Sequence, residues 1–441
     1  MSKAEMTLEK EPAMTTRVTK CNGSTITVET TIEVGGPILK AEEVIAAAVN
    51  EVGMAATVEA LKQFDADGEP LMIGGEKWTA KQPKEKYYQT PYGEVLLARY
   101  AYQKAGGGKT VCPLEQGARI LRNATPRFAK MVAHKLAQNA AADVQRDLEE
   151  NHGRPVSKLL VQELGAYASA VVQAKEETWT YATPRIEADI TAVGIGTDGS
   201  CMLMCAGQWR EAMTGSVSLY DRSGTRQHTI YVGAAPEHGK AGFHERMERE
   251  MAHVRTLYPQ ARFIGIADGA RSNWDFLAPH VDEQILDFYH ASEYVTQAAD
   301  ALFAGSPARE RQAWLESRCT MLKHDWDGAK KLWAEWNATD TAGWKRERRK
   351  MLEDSMRYFA NHVHQMQYKR YQDMGWPIGS GVTEAACKTL VKQRLCRAGM
   401  RWKEDGAQTI LSLRALLLTP TRWEQFWRKL EQYGAPAISS Y

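Results

Sequence analysis

Three acidic residues stand beside apolar runs of the sequence in positions where they could bind metal. Asp198 follows an apolar run, Asp268 directly follows RFIGIA, and Glu384 lies in GSGVTEAACK. If the two runs are neighbouring strands, both aspartates project at one sheet edge. Carboxylates are ligands for hard divalent cations, and two such ions about 3.5–4 Å apart can clamp the attacking and leaving oxygens of a phosphodiester. We therefore predict that Asp198, Asp268 and Glu384 bind two Mg²⁺ ions, with Mn²⁺ as a substitute.

Each acid alone also has a purely structural explanation. Asp198 is in an Asp-Gly turn pair, Asp268 is in a helix start, and Glu384 suits a helix N-terminus with Lys388 one turn later. The segment after Glu384 favours function, because it holds six cations and no acid between 388 and 403: Lys388, Lys392, Arg394, Arg397, Arg401 and Lys403. Solvated helix faces usually mix both signs, whereas phosphate contacts need Lys and Arg. The pattern predicts a DNA-binding helix over 381–403.

Two glycine-rich segments are rejected as nucleotide sites. GIGTDG at 194–199 fits G-x-G-x-x-G, but strand-like CMLMC follows where a helix is required. We expect residues 196–199 to form a hairpin turn instead. GGGKT at 106–110 resembles the end of a phosphate loop, yet Gln103 occupies the position of its first glycine. No nucleotide cofactor is expected.

Composition indicates a reduced, soluble, multidomain protein. The 441 residues suggest two or three domains, and 56 Lys and Arg against 54 Asp and Glu neither demand nor exclude a nucleic-acid partner. Seven cysteines form no CxxC pair, which favours free thiols and argues against structural zinc. The N-terminus does not resemble a signal peptide, and no later apolar run is expected to reach the length needed to cross a bilayer. We expect a cytoplasmic protein without a membrane partner.

The first half of the sequence predicts a hairpin at 17–34 around Asn22-Gly23, a helix at 41–64 and strands at 87–103. From 114 to 174 the pattern is helical, with Thr125-Pro126 starting one helix and a second starting near Ser157. This segment favours a helix-turn-helix-like bundle, although a helical linker or dimerisation arm explains the pattern equally well.

The second half predicts a mixed sheet flanked by helices. Residues 187–233 give three sequential antiparallel strands, followed by a helix at 239–257, a strand at 262–267, a short helix at 271–279 and a strand at 284–288. Residues 291–373 are helical and rich in tryptophan, and 408–433 is a further amphipathic helix. We expect a self-contained core to hold most of Trp314, Trp326, Trp333, Trp336 and Trp344, with one or two on DNA beside Lys345, Arg346, Arg348, Arg349 and Lys350.

Four blocks of sequence resemble insertion-sequence transposases of the Kra family, within the group related to Mutator elements. The blocks are TDGS at 197–200, IADGARSNWD at 266–275, LDFYHASEYV at 286–295 and PIGSGVTEAACKTLVKQRL at 377–395. The resemblance covers roughly 90–440 and implies a ribonuclease H-like domain whose DDE triad is interrupted by an all-helical insertion. It also maps a (Cys or Asp)-x-x-His signature onto Asp287 and His290, which gives His290 a catalytic place near the scissile strand. Relatives often carry paired cysteines before Pro-Leu, whereas here only Cys112 precedes that dipeptide.

The expected fold class is α/β (α+β), with an N-terminal α/β region, a helical DNA-binding region and an interrupted catalytic domain. The expected bounds are 1–113 for the N-terminal region, 114–182 for the helix-turn-helix-like domain, 183–290 with 374–407 for the catalytic domain, 291–373 for the insertion, and 408–441 for the C-terminal helix and tail.

The expected function is that of a DNA transposase. It would bind terminal inverted repeats and catalyse Mg²⁺-dependent strand cleavage and strand transfer to target DNA, by in-line attack of water and then of a 3′-hydroxyl. Its partners would be double-stranded DNA and further copies of the chain, as a homodimer or higher oligomer when the ends are synapsed. Two alternatives remain open: a structure-specific ribonuclease H-like DNA nuclease, and an inactive transposase-derived DNA-binding protein.

Overall fold

A computed structural model describes residues 15–436 of the chain. These residues divide into two compact units, the first formed by 15–174 with 424–436 and the second by Lys175–Trp423. The first unit joins the predicted N-terminal and helix-turn-helix-like regions, and the second joins the predicted catalytic domain and its insertion. The finer boundaries at 113, 291 and 373 stay predictions.

In its described residues, the first unit contains seven short strands in three small sheets. Two strands pair antiparallel around Asn22-Gly23, which confirms the predicted hairpin. The sheets are β1-β2, β3-β4-β7 and β5-β6, and β3 and β4 were not predicted. The strand bounds are β1 Thr15–Asn22, β2 Thr25–Thr31, β3 Leu71–Ile73, β4 Glu76–Ala80, β5 Lys84–Gln89, β6 Glu94–Arg99 and β7 Tyr102–Lys104.

The helices of the first unit include one long apolar helix. They are α1 Ile38–Lys62, α2 Pro113–Gly117, α3 Pro126–Gln138, α4 Ala141–His152 and α5 Lys158–Lys175, with most of the last helix of the chain, Arg422–Tyr433. By length and composition α1 could cross a bilayer, and 11% of its most apolar window is buried. The expectation that no run reaches that length is therefore wrong. One such helix is weak evidence for a membrane segment.

The helical part of the first unit begins as predicted but has one more break. Thr125 and Pro126 start α3, and the Ser157 hydroxyl accepts a hydrogen bond of 3.1 Å from the amide of Leu160 at the start of α5. Phe128 and the residues one and two turns later on its face are buried. The predicted first helix is two helices, because the chain is extended at Asn139 before α4 begins.

A five-stranded mixed sheet forms the centre of the second unit. Its strands are β8 Ile190–Leu203, β9 Trp209–Asp221, β10 Arg226–Ala234, β11 Arg262–Ala267 and β12 Glu283–Leu286, in the order β10-β9-β8-β11-β12. The first three are antiparallel neighbours, and β11 and β12 continue the sheet in parallel with β8. The predicted order, an antiparallel meander followed by α/β alternation, is confirmed, but the runs on either side of 196–199 form one strand, β8, and the second strand is Trp209–Asp221.

The predicted turn at 196–199 is wrong, because β8 continues through it. Asp198 pairs with Thr214 of β9, and the chain reverses only after Leu203. A Cβ at Gly196 would collide with the Thr383 side chain, and one at Gly199 would collide with Glu211. The glycines therefore permit close packing on a strand, although their spacing is also typical of a turn.

Helices cover both faces of this sheet. They are α6 Ala241–Leu257, α7 Arg271–Leu277, α8 Phe288–Leu302, α9 Ala308–His324, α10 Gly328–Asn337, α11 Arg346–His362, α12 Tyr368–Asp373, α13 Gly381–Ala386, a π-helical turn Cys387–Lys392, α14 Gln393–Leu395, α15 Glu404–Leu418 and the start of α16 Arg422–Tyr433. One face packs against α6 through residues such as Phe243 and Met247. The other packs against the helical block α8–α12.

The helical block at 291–373 has no separate core. Trp336 is 1% exposed and belongs to the same buried cluster as Ile264 and Ile285 of the sheet. Trp314 and Trp344 pack against that cluster, whereas Trp326 is 60% exposed. The expectation of a self-contained core is therefore wrong, because the helices bury their apolar faces against the sheet.

Candidate active site

The sheet and the helix after it bring the three predicted acids to one cavity. Asp198 lies within β8, Asp268 follows the last residue of β11, and Glu384 lies in α13. Because β11 runs parallel to β8, with Ile266 opposite Gly196, Asp268 reaches the level of Asp198. All three acids line a cavity of about 300 Å³, together with Thr197, Ala267, Tyr289, His290, Glu293 and Ser380.

The charges of these carboxylates are not neutralised by neighbouring cations. Within residues 15–436, Asp198, Asp268 and Glu384 form no ion pair: Arg271 pairs with Asp275 at 3.8 Å, and Lys388 and Lys392, which lie near Asp198 and Glu384, do not pair with them. Three like charges lining one cavity repel each other, and a bound divalent cation relieves that repulsion.

Asp198 is oriented by a backbone amide and by a cysteine. Its Oδ1 accepts a 2.7 Å hydrogen bond from the amide of Gly199, and its Oδ2 accepts one of 3.3 Å from the Cys387 thiol. Burial, together with the charge of Asp198, raises the pKa of Cys387 to about 11. The thiol therefore stays protonated near neutral pH and acts as a donor to the carboxylate.

Asp268 is held in a tight turn that the helical block stabilises. Its Oδ1 accepts hydrogen bonds from the amide of Ala270 at 3.0 Å and from Asn273 at 3.1 Å. The hydroxyl of Tyr358 in α11 donates to the backbone oxygen of Asp268 at 2.9 Å. Gly269 has φ of +92°, a conformation that favours glycine. The helical block therefore fixes the loop that carries this acid.

A buried aspartate links Glu384 to the sheet. Asp287 caps α8, its Oδ1 accepts a 2.9 Å hydrogen bond from the amide of His290, and its Oδ2 accepts one from the amide of Ser380. The Ser380 hydroxyl in turn donates to Glu384 Oε1 at 2.6 Å. The amide of Asp287 donates to the Ala267 oxygen at 2.8 Å, at the end of β11. Asp287 thus connects the elements that carry Asp268 and Glu384.

Another set of three potential metal ligands, which shares Glu384 with the predicted triad, is grouped more closely. Ligand atoms of Asp287, His290 and Glu384 lie within 4.8 Å of one another, and in the described part of the chain no other three His, Cys, Asp or Glu residues do so. Both oxygens of Asp287 already accept hydrogen bonds from backbone amides. Asp287 is also 0% exposed and does not line the cavity, whereas Asp198 does, so we interpret Asp287 as a positioning residue rather than a metal ligand.

Sequence reasoning missed three residues of the site, namely Ser380, Cys387 and Tyr358. Ser380 was not among the predicted site residues, yet its hydroxyl contacts Glu384. Cys387 lies three residues after Glu384, a spacing that places both on one helix side and could have indicated it. Tyr358 is remote in sequence, and no local signal predicts its contact with Asp268.

Two of the predicted DNA-binding lysines lie beside the acids. Lys388 and Lys392 are exposed and line a cavity of about 570 Å³ with Asp198, Glu384, Cys387 and Gln393. The other exposed cations of the predicted set are Arg397, Arg401 and Lys403. Cations therefore flank the carboxylates on the surface, an arrangement that suits a polyanion.

Arg394 departs from the prediction. Its side chain is 2% exposed, its guanidinium lies 5.3 Å from the centre of the Trp402 ring, and it cannot reach a surface ligand without rearrangement. The helix predicted over 381–403 ends at Leu395, whose oxygen accepts a 2.8 Å hydrogen bond from the Trp402 indole. The chain thereby folds back over Arg394, and we correct its assignment as a DNA contact.

Within the predicted basic run at 345–350, Arg348 has a structural role. It donates to the backbone oxygens of Ala301 at 2.6 Å and Leu302 at 3.2 Å, at the C-terminus of α8, and its guanidinium lies 3.8 Å from the Trp344 ring centre. Lys345, Arg346, Arg349 and Lys350 are exposed. Their contact with DNA stays a prediction.

Comparison with known proteins identifies no relative. No protein-family model matches the chain, and no curated protein matches it. The function of the chain is therefore inferred from the geometry and chemistry of the site.

Proposed function

We propose that this chain is a DNA transposase that cuts and joins DNA strands with a carboxylate triad. One observation carries the proposal: Asp198, Asp268 and Glu384, from three separate elements, line one cavity, and none of them forms an ion pair in the described residues. Three carboxylates that lie together without ion-pair partners favour the binding of metal ions. The lysines at 388 and 392 beside them favour a polyanionic substrate.

The order of the strands supports a ribonuclease H-like assignment for the catalytic domain. An antiparallel meander, β10-β9-β8, is extended from its first strand by two parallel strands, β11 and β12. In this arrangement acids on β8 and after β11 meet at one edge, and a helix placed across them supplies the third. The helical block between Asp268 and Glu384 fits the interruption that the sequence resemblance implies.

The donor set fits Mg²⁺, with Mn²⁺ as a substitute. Hard oxygen donors from Asp198, Asp268 and Glu384 suit either ion, and a pair of ions would supply charge neutralisation and a preference for in-line displacement at phosphorus. The protein's own groups do the positioning. Cys387 orients Asp198, Tyr358 holds the Asp268 loop, and Ser380 orients Glu384.

The remaining polar groups of the site would hold the DNA strand. Lys388 and Lys392 would neutralise phosphates next to the scissile bond, and exposed cations further along, Arg397, Arg401 and Lys403, would extend that contact. His290 lines the cavity with the acids, so it is placed to donate a hydrogen bond to a phosphate oxygen. The amide of His290 donates a hydrogen bond to Asp287, which fixes the backbone of His290.

End recognition is assigned to α3, α4 and α5 of the first unit, whose short connections suit a helix-turn-helix-like reader of duplex DNA. The partners would be terminal inverted repeats, target DNA and further copies of the chain in a homodimer or higher oligomer. The proposed location is the cytoplasm, where the DNA of a bacterial element lies.

The test is a cleavage and joining assay. The full chain is incubated with Mg²⁺ and duplexes that carry the ends of the DNA element encoding it, and nicked and joined products are resolved on denaturing gels. We expect both products from the natural chain. Replacement of Asp198, Asp268 or Glu384 by the corresponding amide should abolish both reactions and leave binding of the ends intact, because a charged ligand is lost without loss of packing.

Each alternative has its own outcome in the same assay. Cleavage without joining would favour a structure-specific nuclease, and binding without cleavage would favour an inactive DNA-binding protein. The matched control is Asp275→Asn, an exposed aspartate of α7 outside the cavity, which should leave both reactions unchanged. Full activity in any one of the three triad variants would remove that residue from the triad.

A further inference from the structure

A second charged cavity lies at the other end of the strands of the same sheet, away from the three acids. It has a volume of about 550 Å³ and is lined by Thr191, Arg222, Arg262, Arg370, Asp373, Met374 and Trp376, which together we term the arginine cavity. Thr191 and Arg262 lie at the starts of β8 and β11, whereas the candidate catalytic aspartates lie toward the ends of the same parallel pair. The two sites are therefore separate.

The cavity carries an excess of positive charge. Arg370 pairs with Glu283 at 3.3 Å, and Asp373 pairs with Lys369. Arg222 and Arg262 form no ion pair in the described part of the chain, and Arg262 donates instead to the backbone oxygen of Asp282 at 3.2 Å. Both side chains are exposed to solvent, so two unpaired guanidinium groups at one cavity raise the local positive potential and attract an anion.

The wall that carries Arg222 is fixed by close backbone packing. Gly224, in the turn between β9 and β10, and Gly375 both have positive φ, of +79° and +70°. A Cβ on Gly375 would lie 2.6 Å from the Arg222 backbone oxygen, and one on Gly224 would lie 3.1 Å from the Gly375 oxygen. Next to Gly375, the Arg370 guanidinium lies 5.9 Å from the Trp376 ring centre. Backbone packing therefore holds the turn that carries Arg222 against the segment that carries Trp376.

We propose that the arginine cavity binds a phosphate group. Guanidinium groups are planar, permanently charged and able to donate paired hydrogen bonds to phosphate oxygens, and three of them from different elements can surround one tetrahedral anion. The group has two possible sources, a nucleic-acid backbone and free inorganic phosphate. The inference does not depend on the proposed catalysis, because none of its residues lines the carboxylate cavity.

The experiment compares three forms of the full chain: the natural sequence, the double variant Arg222→Gln/Arg262→Gln, and the control Arg185→Gln/Arg309→Gln. The control removes the same charge from two exposed arginines outside the cavity. Binding of a short fluorescent duplex is measured by anisotropy over a series of KCl concentrations. Thermal unfolding is measured separately with potassium phosphate and with KCl of equal ionic strength.

For a backbone phosphate, we expect the cavity variant to bind duplex more weakly. The slope of log affinity against log salt concentration, which we term the salt slope, should fall in magnitude by about 0.9 for each lost contact, with the control unchanged. For free phosphate, we expect a phosphate-specific rise in the unfolding temperature that the cavity variant loses and the control keeps. Equal behaviour of the two double variants in both measurements would overturn the proposal. Failure of the proposed transposase activity would leave either difference in place.

Discussion

Two cations of one helical segment, Lys392 and Arg394, should give opposite phenotypes when replaced. Lys392 is exposed and lines a cavity with Asp198 and Glu384, whereas Arg394 is 2% exposed beneath Trp402. Sequence alone assigns both to DNA. The structure predicts that Lys388→Gln/Lys392→Gln weakens DNA binding without loss of stability, and that Arg394→Ala lowers stability without a specific change in the salt dependence of binding.

The two magnitudes follow from the contacts. Loss of two phosphate contacts should lower the salt slope by about 1.8, which changes the relative affinity about tenfold between 50 and 200 mM salt. For Arg394→Ala, the two buried methylenes that are lost are worth about 0.8 kcal/mol each, and the contact with Trp402 about 1–2 kcal/mol. Because burying the charge opposes these gains, we expect Arg394→Ala to lower the free energy of unfolding of the second unit by about 2–3 kcal/mol.

The assays are duplex binding by fluorescence anisotropy over a salt series and guanidinium chloride unfolding. Arg394→Met is the matched control, because it keeps an unbranched apolar stem and should recover part of the lost stability. The reasoning would be refuted if Arg394→Ala unfolded at the natural midpoint with a lowered salt slope. An unchanged slope in the double lysine variant would equally exclude those lysines from phosphate contact.

Two further predictions concern the site and the core. Ser380→Ala removes the hydroxyl that contacts Glu384, so the Mg²⁺ concentration for half-maximal cleavage should rise several-fold, whereas Thr389→Ala, which removes a hydroxyl bonded only to backbone, should not change it. Burial, with a smaller effect of Arg422, lowers the pKa of His228 to about 4. Because the folded protein favours the neutral imidazole, this contribution to stability is present above pH 6.5 and is lost as the pH falls toward 4, by about 3 kcal/mol. In a plot of the free energy of unfolding against pH, His228→Gln should therefore flatten the decline between pH 6.5 and 4.

Much of the sheet could be predicted because its strands have strong local patterns. The strand RFIGIA was placed at its observed bounds, since a short apolar run between polar turns has few alternatives. The turn at 196–199 was wrong because Gly-x-Asp-Gly suits both a reverse turn and a strand whose glycines permit close packing. Only the pairing of Asp198 with Thr214 distinguishes these.

The surroundings of the site were less predictable than its acids. Asp268 and Glu384 have sequence neighbours that mark them, whereas the contact of Tyr358 with Asp268 joins residues far apart in the chain. The burial of Arg394 could not be foreseen either, because its charge indicates exposure and the segment that covers it follows the helix. Such features arise from tertiary packing, which overrides local preference.

The most direct test of the triad exchanges one ligand for a softer one. Asp268→Cys, assayed for strand cleavage with Mg²⁺ and with Mn²⁺, should lose activity with Mg²⁺ and regain part of it with Mn²⁺, because a thiolate binds Mg²⁺ poorly and accepts the softer ion more readily. Asp275→Cys, an exposed position of α7 outside the cavity, should cleave with each ion as well as the natural chain does. Natural levels of Mg²⁺-dependent cleavage by Asp268→Cys would contradict the claim that Asp268 holds the catalytic metal.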